Sequence, residues 1–239
     1  MQQVELIAYQ RQRLAAGTTA GLRDAAAAAV CFYCVRRSAE MLALTRDCVS
    51  EKGECFELHI KRQKNDPLGT GMRCWLPRVE ALGLCCPFSL LQRWLTLHAD
   101  TWGHESCTPL FFVTNVNAPR PLSYDSWRRS LANVFRETAV GTHSLRKGGA
   151  HWLKVQCQVP DDIIQVQGGW ASKETMCAIY ARFTCDEQQS MLLTAVRSAT
   201  IQPPGAYHSV ASLHPAAPEV CDDGVAAVVC RKPVWQRPL

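Results

Sequence analysis

Hydrophobic positions in this chain follow a helical period at first, switch to alternation near the middle, and then return to the helical period. Residues 4–16 and 21–35 read as helices, the second alanine-rich and apolar. Met41, Leu42 and Leu44 cluster on one side of a third helix that begins near Ser38. From Cys55 to Lys64 the period becomes two, with Phe56, Leu58 and Ile60 at alternate positions, the spacing of a strand with one buried face. Asn65 to Gly71 is turn chemistry, and Met72 to Leu76 reads as the returning strand. Together they predict a β-hairpin with Lys64 at the tip of its first strand.

Helical spacing then resumes. Pro87 suits the first turn of a helix that carries Leu90, Leu91, Trp94 and Leu95 inward. Leu110 to Val113 is a short buried strand or loop. Ser123 is placed to cap a helix with Tyr124, Trp127, Leu131 and Val134 as its apolar stripe, leaving Arg128 and Arg129 off that stripe. Thr142 is placed to cap the next helix, which holds His143 and Arg146. Asp161 and Asp162 open another, Lys173 to Phe183 carries Tyr180, and Asp186 to Ser198 is a final amphipathic helix. Beyond Ile201 proline and alanine replace periodicity, and the segment reads as a disordered tail. The predicted fold class is α+β, mainly helical, with a small antiparallel β-hairpin sheet.

Composition narrows the choice of partner. The chain of 239 residues is 47% apolar, with a net charge of +5 and a pI near 8.6. Residues 201–239 hold Glu219, Asp222 and Asp223 against Arg231, Lys232 and Arg237, so the positive excess lies in residues 1–200. That balance permits a nucleic-acid partner. No apolar run reaches the roughly 18 residues that a bilayer demands, and the first residues lack the basic start and apolar run of a signal peptide. The 13 cysteines are odd in number and scattered, which argues against a disulfide framework. Cys31 and Cys34 make one C-x-x-C, without a second pair at zinc-ribbon spacing, and Cys85 and Cys86 are adjacent. His98, His104 and Cys107 could form a partial metal cluster; buried thiols and surface histidines in a reducing compartment are the simpler reading.

Candidate chemistry gathers in four places: Arg36-Arg37-Ser38-Ala39-Glu40, His143-Ser144-Leu145-Arg146, Gly168-Gly169-Trp170 and Tyr180. Arginine forks, an imidazole, an indole and a phenol can hold a phosphodiester, stabilise added negative charge and attack it. In that order, and with a hairpin between the first and second, the boxes resemble those of the tyrosine recombinases, the phage integrase family. Arg37 to Ser50 resembles the family's first arginine box: Arg, any residue, Ser or Ala, Glu, then an aliphatic run and a strand. His143 to Arg146 resembles its His-x-x-Arg box, and Gly168-Gly169-Trp170 its Gly-His box with Trp in place of His. Tyr180 matches the nucleophile and Lys64 the hairpin lysine. The resemblance covers about residues 21–198. Ten positions separate Trp170 from Tyr180, one more than the family usually shows, and only residues 1–20 precede the catalytic fold where such enzymes carry a helical clamp domain.

The resemblance implies a catalytic domain over residues 21–200, with 1–20 a helical remnant or linker and 201–239 a tail. It implies double-stranded DNA as partner, cleavage and rejoining through a 3′-phosphotyrosyl link, and neither metal nor cofactor. A homotetramer would assemble on DNA through the last helix. The protein would be intracellular and DNA-associated, cytoplasmic or nuclear, as for a mobile element. Arg37 and Arg146 would offer planar forks to nonbridging oxygens, while Arg36 is expected at the surface. His143, one helical turn before Arg146, would take the phenolic proton or bond the phosphate. Trp170 carries a donor only. Glu40 would orient an arginine, and Gly168 and Gly169 would allow close approach to DNA or a sharp turn. Lys64 would protonate the departing 5′ hydroxyl, with Lys61 and Arg62 as competitors. Arg128, Arg129 and Lys147 would contact DNA. Three other readings stay open: a type IB topoisomerase, a degenerate relative that only binds DNA, and a zinc module built on Cys31, Cys34, His104 and Cys107.

Overall fold

The computed structural model describes residues 1–61, 70–103, 107–135 and 140–179. Lys64, Arg62, His104, Tyr180, the helix expected at Asp186–Ser198 and the tail lie outside the described residues.

A single helix organises the rest. After α1 (Gln3–Ala15), α2 (Thr19–Tyr33) runs through the centre of the core, with every residue from Ala25 to Tyr33 at most 1% exposed. Thr18 caps it by accepting the Gly21 amide at 3.0 Å. Its alanines let neighbouring helices come close. α1 seats Leu6 and Tyr9 against it, and a Cβ added at Gly21 would strike the Arg13 carbonyl. A buried polar cluster reinforces this corner: Asp24 accepts from Arg13, Arg23 and Ser130, and Ser130 also pairs with the Tyr9 hydroxyl. Burial without such partners would cost a carboxylate several kcal/mol, on the order of the penalty for an unpaired ion.

α3 (Ser38–Leu42) leads through a 3-10 turn into β1 (Val49–Lys52), which pairs antiparallel with β2 (Cys55–Ile60), and β2 pairs antiparallel with β3 (Met72–Pro77). The register sets Phe56 opposite Leu76 and Leu58 opposite Cys74, so one face is buried. The expected hairpin is present as part of a three-stranded sheet. A second 3-10 turn (Glu80–Cys85) precedes α4 (Pro87–Trp102), which opens with proline and stacks Phe88 on Phe56, ring centroids 4.4 Å apart. Leu110 to Val113 forms no strand; Phe112 makes an isolated bridge to Pro121.

α5 (Tyr124–Val134) is capped by Ser123, which accepts the Ser126 amide at 3.2 Å. Trp127 and Leu131 are buried, but Tyr124 is 48% exposed and leaves the expected apolar stripe to meet the Thr142 hydroxyl at 2.7 Å. α6 (Thr142–Val155) starts one residue earlier than its expected cap: Gly141 is the N-cap, and its amide donates to Ser144 at 3.1 Å. α6 lies on α2 through Gly149, where an added Cβ would collide with the Phe32 carbonyl. α7 (Asp161–Gly168) and α8 (Lys173–Ile179) complete the described chain. No described helix is long and apolar enough to cross a membrane. The described cysteines are free thiols, and the described residues hold no cluster of three or more His, Cys, Asp or Glu suited to a metal.

Candidate active site

The end of α2 creates the site. Val35 takes a left-handed φ of 53°, its amide donates to the Phe32 carbonyl at 3.2 Å, and the Arg36 amide donates to the Cys31 carbonyl at 3.0 Å. This paired closure reverses the chain and sends consecutive arginines to opposite sides. Arg37 stays a quarter exposed and begins α3. Arg36 turns inward and is fully buried, which corrects the expectation of a surface arginine. Its side chain can be buried because its donors are used: Nε to the Cys34 carbonyl at 3.1 Å, Nη1 to the Met72 sulfur at 2.8 Å, and Nη2 to the Gln167 carbonyl at 2.6 Å.

Glu40 is the carboxylate on which the arginines converge. Its Oε2 accepts the Arg37 amide at 3.1 Å, closing the first turn of α3, and its Oε1 accepts Arg37 Nη1 at 2.6 Å. Arg36 Nη1 lies 3.7 Å and Arg146 Nη1 3.8 Å from Oε2. Arg146, fully buried on α6, also lays its guanidinium 4.1 Å from the centre of the Trp170 ring. Three guanidinium groups around one carboxylate carry more positive charge than it cancels, which suits an anion.

His143 is exposed on the same face of α6, one turn before Arg146. Partial burial first, then the charges of Arg146, Arg37 and Lys147, hold its imidazole below the usual histidine range. Both effects favour the neutral imidazole, the form that takes up a proton. Gly168 and Gly169 serve the turn into Trp170. A Cβ on Gly168 would run into the indole, and Gly169 takes a left-handed φ of 66°. Trp170 is 6% exposed and packs with Val35, Ala150, Ile164 and Met176.

Lys61, the last described residue before the hairpin tip, pairs with Asp47 at 2.6 Å and borders a recess of about 240 Å³ that Glu40 also lines. Arg128, Arg129 and Lys147 are exposed. Gln167 carries no motif that would announce it, and two residues of the first candidate stretch take tasks the stretch does not spell out: Arg36, and Ser38, whose hydroxyl accepts the Trp127 indole at 3.0 Å and donates to the Thr142 carbonyl at 3.5 Å. That serine ties α3 to α5 and to the start of α6.

This arrangement of helices and sheet is the fold of a tyrosine recombinase catalytic domain. In particular, it matches the XerH site-specific recombinase bound to palindromic difH substrate in a post-cleavage complex, with a TM-score of 0.59 at 18% identity over 83% of this chain and 53% of that one. XerH in its pre-cleavage complex with difH gives 0.59 at 19% identity, over 80% and 52% of the two chains. XerA recombinase gives 0.57 at 18% identity, over 78% and 62%. The chain therefore spans about half the length of the XerH chains, and the likeness is one of fold. No protein-family model matches the sequence, and no curated protein does.

Proposed function

We infer that this chain cuts and rejoins double-stranded DNA in site-specific recombination. The phenolic oxygen of Tyr180 attacks a backbone phosphorus and gives up its proton to His143. A 3′-phosphotyrosyl bond forms as the bond to the 5′ oxygen breaks, and that oxygen leaves as a hydroxyl protonated by Lys64. A 5′ hydroxyl, from the same or a second duplex, reverses the step. The covalent link conserves the bond energy, and the guanidinium groups of Arg37 and Arg146 stabilise the charge of the phosphorane. Trp170 packs beneath Arg146, and Glu40 orients both arginines. Four protomers would act on two duplexes, joined through the last helix.

The observation that carries this reading is the convergence of Arg37 and Arg146 on Glu40, with a depressed His143 and Trp170 beside them. Met176 of α8 packs with Trp170, and Tyr180 follows it by four positions in sequence. Nicked suicide DNA incubated with the protein should give a covalent band on a denaturing gel, and Tyr180→Phe should abolish it while DNA binding persists. An undiminished band in that variant places the nucleophile elsewhere. Tight binding with no band from the wild type identifies a DNA-binding relative instead. Plasmid relaxation without recombination between paired sites identifies a topoisomerase.

A further inference from the structure

Arg36 spends its Nε, Nη1 and Nη2 donors inside the fold, and it is held by more groups than a filler residue needs. Its fork joins three parts of the fold: the end of α2 through the Cys34 carbonyl, β3 through Met72, and the end of α7 through the Gln167 carbonyl. Gln167 answers with its own side chain. Its amide donates to the Tyr33 carbonyl at 3.2 Å and the Trp75 carbonyl at 2.7 Å, and its oxygen accepts the Trp75 amide at 3.2 Å. The last turn of α7 is thereby fastened to both the sheet and α2. Three residues later stands Trp170, whose amide donates to the Gln165 carbonyl and whose carbonyl accepts from the Gln165 side chain, both at 3.1 Å.

These contacts close a circuit. Glu40 lies beside Arg36, which bonds Gln167, which leads through the two glycines to Trp170, which supports Arg146, which returns to Glu40. We propose that Arg36 and Gln167 are positioning residues that fix Trp170, and through it Arg146, relative to Arg37. This rests on the recombinase reading for its effect on rate, but the geometry stands on the contacts alone. A fork reaching a carbonyl, a sulfur and a second carbonyl is a task that lysine cannot perform. A displacement of about 1 Å at a charge-stabilising group can cost about 100-fold in rate.

The test uses Arg36→Lys and Gln167→Ala in the full chain, labelled with 5-fluorotryptophan. The Trp170 fluorine resonance is assigned by its loss in Trp170→Phe. Both variants should unfold cooperatively, with the Trp170 resonance moved and that of Trp94, remote from the clamp, in place. Formation of the covalent adduct at saturating DNA should fall roughly 10- to 100-fold, with the dissociation constant changed less than about threefold. In a Trp170→Phe background, Arg36→Lys should add little further loss, because the group it positions is gone. An unmoved Trp170 resonance in both folded variants overturns the proposal, as does a fully additive double variant. Loss of cooperative unfolding in both assigns the pair to stability alone and overturns it too. If the wild type forms no adduct, the recombinase reading fails, and the fluorine resonance still decides the clamp.

Discussion

Val35 shows how much a single residue can be asked to reconcile. A β-branched residue at φ 53° is a rare outlier, and the left-handed conformation costs about 1–2 kcal/mol in a residue with a Cβ. Its side chain is nevertheless fully buried beside Ala150, Ile164 and Trp170, which returns about 1.5–3 kcal/mol. Val35→Ala removes most of that packing and keeps the strained backbone. Val35→Gly loses slightly more surface but relaxes the φ, so it should melt no lower than Val35→Ala, the reverse of the order inside a helix. Thermal unfolding of the two variants checks this, and a clearly lower midpoint for glycine would show that strain is negligible here. The site arginines have a different task. Arg37→Ala and Arg146→Ala should each slow adduct formation by a few powers of ten while DNA affinity falls modestly, because the contacts strengthen as charge builds on phosphorus. Single-turnover cleavage beside a binding titration separates the two effects, and equal losses in both would reduce the arginines to ordinary backbone contacts.

Among the elements, α6 carries the most chemistry and depends on the closest approach. Its seat is Gly149 against the Phe32 carbonyl, so Gly149→Ala must push α6 off α2 and take Arg146 with it. A cost of about 1–3 kcal/mol is expected from such overpacking, even though alanine is the better helix former. A denaturant midpoint above that of the wild type would contradict the close approach. The long helices were legible because ten or more residues repeat one apolar face, and alternation at Phe56, Leu58 and Ile60 marked the central strand. β1 shows no alternation of its own, since Val49 is its buried residue and the other three are exposed; only the resemblance of Arg37 to Ser50 to an arginine box ending in a strand pointed to it. The site was legible where a motif reads as a unit, as in Arg37 to Glu40 and His143 to Arg146. The inward turn of Arg36 was not, because it depends on a left-handed valine and on a carbonyl from a helix 131 residues away. The reach of Gln167 is invisible for the same reason: its partners are backbone atoms, which leave no trace in side-chain patterning.

Over the whole molecule, the net charge of +5 and the exposed Arg128, Arg129 and Lys147 would, on the proposed reading, give an electrostatic hold on DNA. Affinity should fall steeply with salt as phosphate contacts release counterions, and neutralising any one of these three should lower the logarithmic salt slope by about 1. Cleavage should survive excess EDTA, since guanidinium groups fill the role of a metal in the proposed step. Rescue of an EDTA-inhibited reaction by zinc or magnesium would refute that step. The grip of Gln167 on Trp75 has one more effect, which concerns neighbouring molecules. A strand with vacant amides and carbonyls along its flank invites another chain to add to the sheet. On the β1 side the strand is four residues long and ends in Glu51 and Lys52, poor material for such pairing. On the β3 side the amide and carbonyl of Trp75 are already taken by a side chain that imitates a strand. Without it, that flank would lie open beside a tryptophan that is 43% exposed, and the protein would trade a closed sheet for a surface prone to sticking to its own copies.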